Sequence, residues 1–314
     1  MPHKQMRVHR AAVNRQAIRP VMLAIAGDSA AGKTTLSTGL AEALGPDRST
    51  SVCVDDYHRY DRLERKGLPF TALHPDCNYV AIMEQHLQQL ATGQPILKPV
   101  YDHATGLLGR PELVEPREFV IVEGLLPLHT KLARACFDIT VYLSPPEEVR
   151  RQWKIARDTR KRGNTVDGVL AELERREPDA EAFIRPQRSH ADIVVRFAPI
   201  DGRDDPPGTP LSAELLLRPT IRHPDLAGVA GGGQRAIHLK LARDGDGRPV
   251  DALHIHGYVP REESKMVEKA IWSQVKADDG DPPDTLGSLG GGERSEPLAI
   301  TQLLLLYHLL EAGS

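Results

Sequence analysis

The fold is decided by residues 21–35, VMLAIAGDSAAGKTT. Val21 to Ala26 is an unbroken apolar run, as expected of a strand buried on both faces of a parallel sheet. The next eight residues, Gly27-Asp28-Ser29-Ala30-Ala31-Gly32-Lys33-Thr34, fit G-x-x-x-x-G-K-[ST]. TTLSTGLAEALG then reads as a helix closing at Gly45. In this strand–loop–helix context, glycines let the backbone curl so that successive N–H groups converge on phosphate oxygens. The helix N-terminus adds its dipole. Gly27 through Thr34, with Thr35, are therefore expected to cradle a nucleoside triphosphate. Lys33 would reach the β- and γ-phosphates and the Thr34 hydroxyl would ligate Mg²⁺. A nucleoside triphosphate and Mg²⁺ are what the loop implies. The loop is silent on the acceptor.

Outward from this loop, residues 51–54, 119–122 (FVIV), 138–143 (DITVYL) and 191–197 read as strands. A long helix from Pro145-Pro146 to Gly163 and another over about 165–176 alternate with them. That order predicts an α/β fold with a mainly parallel, mixed sheet flanked by helices. Residues 201–210, DGRDDPPGTP, mark a boundary. The expected organisation is a basic tail over 1–20, a phosphate-loop core over 21–200 and a C-terminal extension over 201–314. In the extension, 236–242 and 250–259 alternate across a DGDG turn and predict a hairpin. Residues 280–296 read as a flexible loop and about 297–311 as a buried amphipathic helix.

The whole-chain arithmetic excludes other classes. In 314 residues there are 40 basic and 43 acidic side chains, giving a net charge of -3 and no bulk reason to bind nucleic acid. No apolar run is long enough to span a membrane. Cys53, Cys77 and Cys136 form neither a disulfide framework nor a metal pair, so a cytoplasmic location is expected. The first twenty residues hold five Lys/Arg and no acid, but lack the serines of a transit peptide and the apolar core of a secretory signal.

Acids at strand ends suit the chemistry that the loop implies, because ligands bind beyond the carboxyl ends of parallel strands. Asp55-Asp56 follow the second strand and Glu123 follows FVIV. Phosphoryl transfer to an alcohol needs one carboxylate as base and another near the metal. Glu123 suits the metal, together with Thr34, and one of Asp55 and Asp56 suits the base. Around them, DDYHRYDR supplies His58, Arg59 and Arg62 as donors. Residues 150–162 carry seven cations and one acid, Asp158. Arg150, Lys154, Arg157 and Lys161 share one helical face, while Val149, Trp153 and Ala156 share an apolar one. Such a basic face is either solvated or used to hold phosphate charge.

These motifs together resemble the phosphoribulokinase/uridine kinase family, and its plant and cyanobacterial branch in particular. The resemblance rests on GDSAAGKTT, VDDYHRYDR, LHPDCNYV, KPVYDHATGLL, VIVEGLLPLH, DITVYLSPPEEVRRQWKIARDTRKRG, RPQRSHADIVV, DGRPVDALHIHGYVPREESKMVEKAIW and EPLAITQLLLLYHLL. It implies an α/β P-loop kinase with ATP and Mg²⁺ as cofactors, which transfers the ATP γ-phosphoryl group to the C1 hydroxyl of ribulose 5-phosphate and acts as a homodimer. It implies Asp55 as catalytic base, with Asp55 also near the metal beside Thr34 and Glu123. It implies Lys33, Lys154, Arg157 and Asp158 as catalytic groups. His58, Arg62, Tyr101, His103, Arg157 and Arg162 would bind the sugar phosphate.

One departure stands out: Ala31 occupies a loop position where plant members carry a cysteine, so no disulfide to Cys53 can form. Cys53 then reads as a small core residue. His254 and His256 read as ordinary strand histidines. The rival readings are a family kinase for a nucleoside or another sugar phosphate, and a nucleotide-binding regulator without activity.

Overall fold

A computed structural model describes residues 19–200, 203, 206, 208–231, 236–275 and 281–314. All but the last two residues of the expected basic tail, and parts of the 201–210 boundary, lie outside the described residues.

Eight strands form one sheet: β1 (Val21–Gly27), β2 (Ser49–Cys53), β3 (Phe119–Gly124), β4 (Ile139–Leu143), β5 (Ile193–Ala198), β6 (Ser212–Leu217), β7 (Ile237–Arg243) and β8 (Pro249–Ile255). Their spatial order is β7-β8-β6-β5-β4-β1-β3-β2. The first five strands pair in parallel, and β6, β7 and β8 continue the sheet antiparallel. The expected mixed, mainly parallel sheet flanked by helices is thus what the chain forms. β1 has β3 on one side and β4 on the other, with Leu23 opposite both Ile121 and Ile139. The chain switches direction across the sheet at that strand, which is where such sheets bind ligands.

Six helices matter for the site: α1 (Lys33–Leu44), α2 (Val80–Ala91), α3 (Glu147–Arg162), α4 (Val166–Asp179), α5 (Arg261–Trp272) and α6 (Glu296–Gly313). β1 is buried along its length, and its side chains divide with the period of two expected of a strand. Val21, Leu23 and Ile25 join the core under α1 and α6, whereas Met22 joins Met83 and Leu87 of α2 on the other face.

α6 is buried as expected, but on every side rather than along one face. Every residue from Pro297 to Leu310 is buried, so the helix is enclosed rather than laid on the surface. It fits against α1 because Gly39 has no side chain. A Cβ there would lie 2.0 Å from Gln302 Nε2. Gln302 also donates to the Thr35 carbonyl at 3.4 Å and accepts from the Gly287 N–H at 2.7 Å.

The C-terminal third is therefore built into the sheet and core rather than appended to them. Asp244, beside the β7–β8 turn, ties this third to residues 188–218. It pairs with buried Arg218 and, at 2.6 Å, with Arg188. The region read as a flexible loop also carries structure. Ser288–Gly290 and Glu293–Arg294 form a small hairpin. Arg294 anchors it through Glu268 at 2.8 Å and Glu296 at 3.1 Å.

Candidate active site

A cleft of about 1620 Å³ opens over the carboxyl ends of β1, β3 and β2 and runs on past β5, β6 and β8. The phosphate-binding loop forms its floor. Gly32 sits at φ 95°, in the left-handed region, and caps α1 without any side-chain hydrogen bond. Ala30 takes φ 65°, an uncommon conformation for a residue with a Cβ. Lys33 is buried, with Nζ donating to the carbonyls of Gly27 at 3.0 Å and Asp28 at 2.9 Å. Thr34 Oγ1 donates to Glu123 Oε1 at 3.0 Å. Burial pushes the Glu123 carboxyl up, with Lys33 opposing that shift.

A hydroxyl beside a carboxylate is an oxygen-only donor set that suits Mg²⁺, which is commonly held by one or two carboxylates plus substrate phosphates. Among the described residues, no group of three or more His, Cys, Asp or Glu forms a complete protein cage. Thr34 and Glu123 therefore fit a metal shared with a nucleotide, and Asp55 lines the same cleft.

The structure separates the two aspartates. Asp55 lines the cleft and spends one oxygen, Oδ1, on the Leu125 N–H at 2.8 Å. The neighbouring Gly124 makes this approach possible, since a Cβ there would come within 2.8 Å of that same oxygen. Asp56 turns away. It pairs with the Lys98 ammonium and accepts the Tyr101 N–H at 3.0 Å. Lys98 is completed by Glu112 at 2.8 Å. Asp56 is thus committed to holding the segment that carries Tyr101, and Asp55 keeps an oxygen for chemistry.

Beyond Asp55, the rings of His58, Tyr101 and His103 meet edge to face, at 4.8 Å and 5.0 Å between successive centroids, and form one wall. Burial lowers the His58 pKa to about 4, so the imidazole is neutral at pH 7. His58 Nδ1 lies 2.7 Å from Asn78 Oδ1, an oxygen that can only accept. This assigns the ring proton to Nδ1 and leaves Nε2 as an acceptor. His58 therefore offers an acceptor nitrogen rather than the donor expected. Burial lowers the His103 pKa as well. Arg62 lines the cleft with its guanidinium on the His103 carbonyl at 2.6 Å. Arg59 is not a cleft donor: it lies 5.5 Å over the Tyr79 ring and 5.8 Å over that of Tyr60.

The basic face of α3 turns inward, not to solvent. Arg150 is buried, forks onto Glu147 at 2.7 Å, and reaches Asp28 of the phosphate loop at 3.4 Å. Lys154 is buried too and does not line the cleft. It sits 3.0 Å from Asp158, and burial lowers its pKa to about 8. Burial raises the Asp158 carboxyl, but hydrogen bonds and charge from Arg157 and Lys154 prevail and hold it at about 2. Arg157 and Arg162 bind the other oxygen of Asp158, at 2.8 and 3.3 Å, and line the cleft. The side chain of Lys161 lies outside the description. Trp153 belongs to the cleft as well, 3.7 Å from where a Cβ on Gly32 would be, whereas Ala156 is exposed.

Five cations of the same cleft escaped the sequence reading: Arg65, Lys66, Arg175, Arg176 and Arg294. Arg65 donates to the Tyr101 hydroxyl and lies 4.8 Å over its ring. Arg175 and Arg176 stand on α4, whose ELERRE pattern reads as an ordinary solvated helix. Cys53 is a cleft residue rather than a core one. Burial, with Asp55 and Glu123 near it, pushes its thiol well above the ordinary value.

Comparison with known proteins shows what the chain is similar to. The model of the phosphoribulokinase/uridine kinase family matches residues 22–201. A phosphoribulokinase from Synechocystis sp. is 40% identical over 204 residues, covering 65% of this chain and 61% of that protein. The chloroplastic phosphoribulokinase of Arabidopsis thaliana is 34% identical over 221 residues, covering 65% and 56%. A uridine kinase from Oceanobacillus iheyensis is 32% identical over 185 residues, covering 56% of this chain and 86% of that one. The matches thus span less than two thirds of the phosphoribulokinases' own length. The structure of a phosphoribulokinase from Rhodobacter spheroides superposes over 81% of this chain and 96% of that one, with a TM-score of 0.59 at 16% identity.

Proposed function

The chain belongs to the phosphoribulokinase/uridine kinase family, and within it we propose an ATP-dependent kinase that phosphorylates the C1 hydroxyl of ribulose 5-phosphate. The observation that carries this reading is the setting of Asp55. Its remaining oxygen shares a cleft with the phosphate loop on one side and with Arg62, Arg65, Lys66, Arg175 and Arg176 on the other. A neutral nucleoside acceptor has no need of so many cations. A sugar phosphate dianion brought beside a triphosphate does.

In this reading the loop N–H groups and Lys33 hold the triphosphate. Asp55 takes the proton of the C1 hydroxyl as its oxygen bonds to the γ-phosphorus. The bond from that phosphorus to the β-bridging oxygen breaks, and ADP leaves. Mg²⁺ on the Thr34/Glu123 side would neutralise charge on the β- and γ-phosphates. Arg157 and Arg162, both ordered by Asp158, supply cations from α3 toward the equatorial oxygens and the acceptor phosphate. Lys154, which also pairs with Asp158, is a positioning group in this structure. His58 accepts a sugar hydroxyl while Arg62 takes the phosphate.

Among the described residues no helix is long and apolar enough to cross a membrane. A cytoplasmic location, supported by the cysteine usage, and a homodimer, supported by the sequence resemblance, belong to the same proposal. Phosphorus NMR of the product tests the reaction itself. ATP and ribulose 5-phosphate should yield ADP and one new phosphomonoester at C1. A new phosphate at any other carbon, or ATP hydrolysis without a sugar product, would refute the reading.

A further inference from the structure

The neutral ring of His58 offers the cleft an acceptor only while its proton stays on Nδ1. An imidazole can carry that proton on either nitrogen, so the fold must hold it in place. Residues 58 and 78 are partners in an isolated antiparallel bridge. Its hydrogen bonds run from the Arg59 N–H to the Cys77 carbonyl at 2.9 Å and from the Tyr79 N–H to the Tyr57 carbonyl at 2.7 Å. His58 and Asn78 are therefore the non-hydrogen-bonded pair of the bridge, the arrangement that brings two facing side chains closest. Nδ1 and Asn78 Oδ1 meet at 2.7 Å. The far end of the amide settles the direction of this bond. Asn78 Nδ2 donates to the Ala72 carbonyl at 3.1 Å and to the His74 carbonyl at 2.9 Å. Turning the amide over would set Oδ1 against two oxygens that can only accept. Asn78 is 9% exposed and His58 4%, so water has little room to repair such a mismatch. Two carbonyls fix the amide, and the amide fixes the ring.

We infer that Asn78 is a positioning residue of the reaction: held by the Ala72 and His74 carbonyls, it keeps the His58 proton on Nδ1 and leaves the Nε2 lone pair for a hydroxyl of the acceptor. This rests on the acceptor reading given above and adds to it a residue that does not itself line the cleft.

The reference that Asn78 reads is itself anchored. Thr71, next to Ala72, is pinned to Asp179 at the end of α4, through its N–H at 2.7 Å and its hydroxyl at 2.6 Å. On the other side, Pro75–Cys77 form a short 3₁₀ turn, and the Asn78 N–H closes it on the Pro75 carbonyl at 2.9 Å. Residues 71–78 thus fold around the amide as one unit. Ala72 lines the cleft, so the same amide also holds a piece of the cleft wall. The charged and titratable groups facing the His58 ring are Asp55, Arg65 and His103. Burial, with Arg65 and His103, outweighs Asp55 and the bond to Asn78, and the ring stays neutral. A neutral ring has a single N–H. With it spent on Asn78, Nε2 can only accept, and a substrate hydroxyl must donate to it.

Nitrogen-15 NMR of the histidine rings tests this on the full chain at pH 7 without substrate, the His58 signals being those absent from His58→Gln. The wild type should show a protonated Nδ1 and a bare Nε2. In Asn78→Ala, Nδ1 loses its acceptor and the proton should move to Nε2, a change that a merely structural role for Asn78 would not produce. In the same variant kcat/KM for ribulose 5-phosphate should fall about tenfold, the value of a buried hydrogen bond, while ADP affinity should stay as in the wild type because the phosphate loop is untouched. A protonated Nε2 in the wild type, an unmoved proton in Asn78→Ala, or an equal loss of ADP affinity would overturn the role given to Asn78. The wild-type spectrum decides the matter even if the variant does not fold. If the wild type does not phosphorylate ribulose 5-phosphate, the acceptor reading falls, while the ring signals still decide whether Asn78 holds the proton.

Discussion

Replacing Asp55 and Asp56 separately by asparagine puts the division of labour between adjacent aspartates to a quantitative test. Asparagine at 55 keeps a carbonyl oxygen that can accept the Leu125 N–H, now held at 2.8 Å. The β2–β3 junction and the phosphate loop should therefore stay in place, and ATP should bind nearly as in the wild type. What is lost is the oxygen that would take the proton. General-base catalysis contributes about 10²–10⁴-fold, so kcat should fall by about that factor. Asparagine at 56 acts elsewhere. It removes one of the two carboxylates on Lys98, whose side chain is only 4% exposed, and leaves Glu112 at 2.8 Å. The Tyr101 N–H keeps an acceptor. Stability should drop by about 1–3 kcal/mol, the usual penalty for an incompletely satisfied buried group. The kcat should stay within about tenfold of wild type. Steady-state ADP release, with urea unfolding in parallel, reads both. The reasoning is refuted if Asp55→Asn turns over like the wild type, or if Asp56→Asn loses more kcat than Asp55→Asn does.

Arg62→Ala should raise KM for the sugar phosphate by about 10–100-fold, the value of a charged hydrogen bond, with little change in kcat; an unchanged KM would place the phosphate contact elsewhere. His308 is buried against His223, and burial lowers its pKa to about 3. The unfolded chain, titrating near 6.5, binds the proton more readily, so stability should fall as pH drops from about 6.5 toward 3, by up to about 1.4 kcal/mol per pH unit. Urea unfolding at pH 7 and 5 should show a shallower loss for His308→Gln than for wild type, and equal losses would contradict it. Arg218→Met strands half of the buried Asp244 carboxylate. It should cost about 3–5 kcal/mol of unfolding free energy, and a cost below about 1 kcal/mol would show that Arg188 alone suffices.

The elements that were legible in the sequence are those whose pattern is local. The Val21–Ala26 run, the glycine loop and the proline and acids that open α3 each encode their own conformation within a few residues. Tertiary context decided the rest. α3 looks the same in sequence whether its cations face water or Asp28 and Asp158, and only packing shows that Arg150 and Lys154 are buried. Asp55 and Asp56 are adjacent carboxylates, and their separation depends on Lys98 and Leu125, 42 and 70 residues away. The glycine-rich stretch before α6 reads as a loop because its anchor, Arg294 on Glu268, joins the hairpin to α5, a link that composition does not reveal. Ser212–Leu217 gave no expectation at all, being a short strand that owes its place to the neighbours β5 and β8.

The choice of acceptor bears most directly on what this cleft is for. Coupled measurement of kcat/KM with ATP and ribulose 5-phosphate, ribose 5-phosphate or uridine compares a ketose phosphate, an aldose phosphate and an uncharged nucleoside in one site. Ribulose 5-phosphate should be the best of the three by at least tenfold, and uridine the poorest because it leaves the cleft's arginines without a phosphate. A higher kcat/KM for uridine or ribose 5-phosphate would contradict the assignment, while leaving the family and the fold intact.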